Sequence, residues 1–318
     1  MIGRLSSLMV ILTIAIASAG AQTAGAPPKG REYRLQALYR PGIAQNYEIT
    51  EIDTVVRTHS DSSTKSYTRK VVYFATVRCT ESLDGFSTLT VNLDSLQYAF
   101  ASEGVELTYD SQKDVTIKQF ADLTNYVGPM NRQPDIRYNA YGDVLSVKGE
   151  QLEWMRDYLK DNGDGLDSVM ALIWNQSVAD GNILQYSDLQ KRVLPGKKVA
   201  VDSSWQHDLQ LRLDGVMFAG KVRSKLAGYS GGLYSIVLRD TIQVVPDQPI
   251  HAYGVPYIAS VLDGRAVVDH TIELAASGSI NHVVSSAKAR FRARAYNEVF
   301  THDVTSITTW KLTGQYQW

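Results

Sequence analysis

Apolar residues return at every second position through most of this chain, the pattern of antiparallel strands that bury one face and wet the other. In KVVYFATVRC, Val71, Tyr73, Ala75, Val77 and Cys79 share a face, and in TLTVNLD so do Leu89, Val91 and Leu93. Asp84-Gly85 between them signals a hairpin. A two-residue loop would throw the two apolar rows onto opposite faces. A three-residue loop, Leu83-Asp84-Gly85, is therefore expected, pairing Cys79 with Leu89, Val77 with Val91 and Ala75 with Leu93. In WQHDLQLRLDGVMFAGKV the arithmetic reverses. A two-residue Asp214-Gly215 turn keeps the row continuous, with Leu213 opposite Val216 and Leu211 opposite Phe218. Gly231-Gly232, Asp263-Gly264 and ASGS at 276–279 mark further hairpins. The first would set Arg223 opposite Asp240, and the last His282 opposite Glu273. AKARFRARAY alternates Phe291, Ala293 and Ala295 with Arg290, Arg292 and Arg294, and the last strand groups Trp310, Leu312 and Tyr316.

From Glu150 to Val193 the period lengthens. Leu152, Met155 and Leu159 recur at helical spacing, followed by a cleaner stripe of Leu166, Val169, Met170, Ile173 and Trp174. DGN at 180–182 is expected to end that second helix, Ser187–Val193 to form a short third, and LPGKK to return the chain to strand. The organisation predicted is an N-terminal β half over 32–148, a helical insert over 149–194 and a C-terminal β half over 195–318. The fold class is mainly β (α+β): curved antiparallel sheet or sheets of long hairpins, with the helices packed on the apolar face.

DNGDGLD, at 161–167, stands between the two helices like a calcium loop. An EF-hand needs oxygen ligands at positions one, three and five and a glutamate at twelve. Counting from Asp161 puts Gly163, Gly165 and Leu172 at three, five and twelve. The stretch reads instead as a turn, with Asn162-Gly163 closing one helix and Asp167 or Ser168 capping the next.

Composition changes the picture mainly at the start. Arg4, the apolar run Leu8–Ala17 and the small residues Ala17, Ala19 and Ala21 form a secretory signal over 1–21, cleaved near Ala19 or Ala21 and followed by a flexible leader over 22–31. An exported location, periplasmic or extracellular, is expected. No later run is long and apolar enough for a transmembrane helix. Cys79 is the single cysteine, so no internal disulfide is possible, and no cysteine stands at the cleavage site for a lipid anchor. A net charge of -1 gives no pull toward nucleic acid.

Catalytic and metal chemistry find little purchase. The six histidines do not converge by register or match zinc spacings. Phosphate-cradling glycine loops and the Gly-x-Ser-x-Gly elbow are missing, so no cofactor, catalytic or metal-ligand residue is assigned. Cys79 reads as a core thiol, and the row Arg290, Arg292, Arg294 as a solvated face paired with Asp303 or Glu298. What remains is apolar. Trp154, Met155, Met170, Trp174, Trp205, Phe218 and Trp310 either pack as core between helices and sheet or line a pocket for a lipid-like ligand.

YDS at 109–111, YVGPMNRQPDIRYNAYGDVLSVKG at 126–149 and LPGKKVAVDSSW at 194–205, behind the exported start, resemble a family of uncharacterised bacterial cell-envelope proteins. Its members are mostly secreted proteins or lipoproteins without assigned activity, so the resemblance implies location and carries over no site. The chain lacks the lipobox cysteine of the anchored members. More distantly, its strand-helix-strand plan is similar to the half-barrel carriers that shelter lipoprotein acyl chains in the periplasm. Three readings stand at this point: a non-enzymatic carrier of an apolar ligand, an outer-membrane barrel ending in Tyr316 and Trp318, and a secreted hydrolase.

Overall fold

The computed structural model describes residues 30–36, 40–83, 85–187 and 194–318. The expected signal peptide, nearly all of the leader and the helix expected over 187–193 (Ser187 apart) lie outside them. The elements run β1 (Glu32–Arg34), β2 (Ile43–Thr58), β3 (Thr64–Leu83), β4 (Phe86–Ser102), β5 (Val105–Asp110), α1 (Ala121–Val127), β6 (Asp135–Asn139) and β7 (Val144–Lys148). Three helices follow, α2 (Glu150–Asn162), α3 (Ser168–Ser177) and α4 (Asp180–Gln185). The chain then continues through β8 (Lys198–Ala200), β9 (Ser204–Leu213), β10 (Val216–Ser230), β11 (Leu233–Val244), β12 (Pro249–Ile250), β13 (Ala259–Ala275), β14 (Ile280–Ala295) and β15 (Glu298–Gln317). The mainly β class with a helical minority holds.

β1 and β8 pair with each other, and all the other strands of both β segments join in one sheet, in the order β7-β6-β4-β3-β2-β15-β14-β13-β11-β10-β9, with β5 on β4 and β12 on β13. β2 and β15 meet at its centre, where Ile52 faces Ile307. The sheet's two ends, β7 and β9, come from mid-chain. Strands of 15 to 20 residues, such as β10 and β3, are long for a globular sheet. Twist accumulated over that length curls it, so the β9–β10 turn reaches the opposite wall and Tyr67 Oη donates to Asp214 at 2.7 Å.

Register follows the apolar rows. Cys79 faces Leu89, Val77 faces Val91 and Ala75 faces Leu93, as expected. The device differs: Leu83 pairs with Phe86, one step tighter than expected, and a bulge between Cys79 and Glu81 restores the phase. Asp214-Gly215 makes the expected two-residue turn, both residues at positive φ (49° and 80°), and Leu211 faces Phe218. His282 faces Glu273.

Bulges account for three corrections. Between Leu226 and Gly228 an extra residue puts Ser224 opposite Leu238, one step out of the expected register. The Asp240 carboxylate still accepts from the Arg223 amide at 3.0 Å. Asp263-Gly264 is no hairpin; β13 runs through it with a register shift between Val261 and Asp263. Near the C-terminus a shift between Leu312 and Gly314 removes Tyr316 from the row of Trp310 and leaves it exposed.

The helical insert forms where the period lengthens, with DGN beginning α4 rather than ending α3. α2 passes into a single 3-10 turn at Gly163–Gly165, and Gly163 is right-handed (φ -62°) rather than a left-handed cap. Asp167 does cap α3, accepting from the amides of Val169 and Met170 at 3.0 Å each. Asp167→Ala is expected to cost about 1 kcal/mol, read as a lower urea midpoint with an unchanged slope. α1, in ADLTNYV, was not expected. It is a short helix whose inner face carries Asp122 and Tyr126.

Candidate functional site

The seven apolar candidates do not form one pocket. Trp310 is fully buried, edge-on to Tyr47 at 5.6 Å, and Phe218 packs against Phe291 at 6.2 Å. Trp205 and Met155 are core residues, while Met170 and Trp174 on α3 are half-buried. Trp154 lies outside the α2 stripe of Leu152, Met155 and Leu159, so it is 58% exposed and stacks on Tyr158. The helix–sheet interface is filled, and its centre is charged.

That charge comes from β2. Its inward row runs Tyr47, Ile49, Glu51, Asp53, Val55, Arg57, all buried. From the inward row of β3, Arg69 extends into the interior and collects three carboxylates. Nη2 donates to Asp53 at 2.6 Å, Nη1 to Asp122 of α1 at 2.6 Å, and Asp214 of the β9–β10 turn lies at 3.4 Å. The guanidinium also sits 5.0 Å from the centre of the Tyr126 ring. Two of the carboxylates have further neighbours: Tyr98 Oη donates to Asp122 at 2.5 Å, Tyr67 Oη to Asp214, and His302 Nδ1 approaches Asp214 at 3.4 Å. His302 faces Phe291 of β14.

Burial alone would lower the Arg69 guanidinium, but Asp122, Tyr126, Asp53 and Asp214 more than reverse it and lock the cation charged. Asp214 shows the same contest. Burial would raise it, and the approach of His302, the charge of Arg69 and the hydrogen bond from Tyr67 hold it far below the carboxylate range. Asp122 goes the other way, raised by burial against the pull of Arg69. A cavity of about 30 Å³ opens beside this cluster, lined by Glu51, Tyr126, Gln185, Tyr186 and Arg212 among others. It has room for a water molecule or two and none for a substrate. The cluster is a clasp. It ties α1, the β9–β10 turn and the central strands into one unit, with Gln176 of α3 bound by Arg212 at 2.8 Å.

The larger space lies at the sheet's open side. Between the segment Tyr141–Val144 leading into β7 and the edge strand β9 is a cleft of about 600 Å³. Tyr141, Val144, Leu184, Leu194 and Leu209 give it apolar wall, and Asp143, His207 and Asp208 supply polar groups. His207 Nε2 lies 2.9 Å from the Ser224 hydroxyl, and burial holds its ring below the ordinary histidine value, so it is neutral at pH 7. None of the seven expected residues lines this cleft or the small cavity.

The sequence match that places the chain spans residues 84–280, more than half its length, and so runs from the β3–β4 turn to the start of β14. The chain belongs to the family of unknown function DUF6263. No curated protein matches it. Among solved structures, one described as lipid-protein interactions in lipovitellin superposes at a TM-score of 0.42 and 11% identity, over 88% of this chain and 26% of that one. The DUF6263 chain thus spans about a quarter of that structure. Pseudomonas aeruginosa OpdQ superposes at a TM-score of 0.23 and 9% identity over 85% of this chain and 99% of its own. OccK7 (OpdD) of the same organism gives 0.25 and 9%, over 85% and 99%. Superpositions this loose bear on no function.

Sequence reasoning missed both the clasp and the cleft. The clasp had a signal: Glu51, Asp53 and Arg57 share their phase with Tyr47, Ile49 and Val55. Ile52 and Val56, on the other phase, obscured it.

Proposed function

We propose that this protein is an exported, non-enzymatic binding protein that holds an amphipathic, lipid-like ligand in the cleft between its unpaired sheet edges. The observation that carries this reading is the cleft itself. A space of about 600 Å³ with an apolar wall and a few polar groups has the size and composition of small-molecule sites. An acyl or ring portion would lie along Val144, Leu184, Leu194 and Leu209, with a polar end toward Asp143, His207 and Asp208. Export is supported by the positive start, short apolar run and small-residue cleavage site of residues 1–21.

The membrane-barrel reading is weaker on physical grounds. Among the described residues no ladder joins β7 to β9. The outward row of β14 carries Lys288, Arg290, Arg292 and Arg294, where a spanning barrel presents an apolar band.

Titration of detergent-free protein with the fluorescent apolar probe 1-N-phenylnaphthylamine tests the reading. Saturable uptake near one probe per chain is expected, and Val144→Arg, at a partly exposed edge position, should abolish it while leaving the fold intact. Absence of uptake by the parent protein, or undiminished uptake by the variant, rejects the cleft as the seat.

A further inference from the structure

We infer that the outer face of β13–β15 docks on a bilayer surface bearing anionic phospholipid headgroups. This inference does not rest on the cleft reading, since the face lies on the opposite side of the sheet from the interior and several strands from either edge. Two adjoining belts make the face. One is basic. Cross-strand pairs share a side of the sheet, and Arg265 faces Arg290 while Val267 faces Lys288, so Arg265, Lys288, Arg290, Arg292 and Arg294 all point outward. Four carboxylates share the face: Asp263, Asp269, Glu273 and Asp303. Asp263 binds Arg292, with Nε to Oδ1 at 2.9 Å, and Asp303 reaches Arg290 only at 3.7 Å. Among the described residues Arg265, Lys288 and Arg294 have no carboxylate partner. This surplus of cations stands in a chain whose net charge is -1.

The bulge at Val261/Asp263 gives the belt a recess. Gly264 lets β13 press against β14, and the resulting groove of about 350 Å³ has Arg265, Arg290, Arg292 and the Arg292-bound Asp263 as its walls and Phe291 in its floor. A phosphodiester suits that setting, because guanidinium groups bind phosphate oxygens in pairs. The second belt is aliphatic. Ile52 faces Ile307 directly, and Val56, Val267 and Val284 point the same way, each between 37% and 45% exposed. Threonines 54 and 305 lie between them. A phosphate-binding row beside an exposed aliphatic row matches the headgroup and glycerol levels of a bilayer.

Co-sedimentation of the protein with phosphatidylcholine vesicles, with and without phosphatidylglycerol, tests the inference. Binding to the anionic vesicles alone is expected, weakening as salt is raised. The double variant Arg265→Glu/Arg290→Glu should lower that binding about tenfold or more. Arg223→Glu, an exposed cation on β10, should leave it unchanged, and so should Val144→Arg in the cleft. All these positions are exposed, and urea midpoints establish that the variants fold. Equal binding to both vesicles, no binding, or indifference to the double variant overturns the inference. Saturable binding of inorganic phosphate without vesicle binding also overturns it, and makes the groove a site for the free anion.

Discussion

Replacing Arg69 with leucine is expected to remove about 3–5 kcal/mol of stability at neutral pH, the largest loss from any single side chain of the clasp. The substitution leaves Asp53, Asp122 and Asp214 buried without the cation they share. Its dependence on pH distinguishes lost charge from lost packing. In the parent, Asp214 is held below its ordinary value, so its contribution is present above that value and is given up as the pH falls. Without Arg69, the burial that raises Asp122 and Asp214 is opposed mainly by the hydrogen bonds from Tyr98 and Tyr67. The stability of these carboxyls is then present in acid and lost as the pH rises. The deficit of the variant should therefore be greatest at pH 7 and narrow toward pH 4.5, measured by urea unfolding at both values. Equal deficits would mean that the clasp contributes packing alone. Asp53→Asn added to the variant should recover part of the loss, since it removes one stranded charge.

Gly264→Ala is expected to cost about 3 kcal/mol or more, at the upper end for overpacking a core. A Cβ at this position would stand 2.4 Å from Phe291 Cβ and 2.6 Å from both Phe291 Cα and the Arg290 carbonyl oxygen. These are atoms of a central strand, fixed by ladders on both sides, and cannot yield as the end of a flexible side chain can. The fall in urea midpoint should come with loss of protection at the β13–β14 amides in hydrogen exchange. A midpoint near that of the parent would show that the strands can separate locally at the bulge.

Much of the fold could be read from the chain because each strand buries one face. A single misplaced residue in a hairpin would have turned Val77 or Leu211 to water, so apolar phase alone settled the pairs around Asp84-Gly85 and Asp214-Gly215. Bulges escaped the same reasoning. At Ala227, at Leu262 and near Thr313 one added residue changes the phase without any change in composition. Gly264 resembles a turn glycine in sequence, and only the closeness of Phe291 reveals its purpose. The single-cluster view of the apolar residues failed at Trp154, which sits one step around the helix from the buried stripe. The phase of β2 hinted at buried charge, but the partners that make the clasp were illegible for a different reason. Arg69 meets Asp122 and Asp214 through contacts between distant segments, and no periodicity within one strand encodes which charges will meet.

The first and last long strands, β2 and β15, are neighbours at the centre of the sheet, while its free margins are contributed by residues from the middle of the chain. Synthesis therefore completes the rims before the keel. β2 can zip to β3 as soon as both exist, yet its other flank stays bare until the final strand is made. Such a distant pairing is slow to form, and an uncovered ribbon of this length invites pairing with other chains. Loss of the last strand would thus split the molecule down its middle rather than trim it.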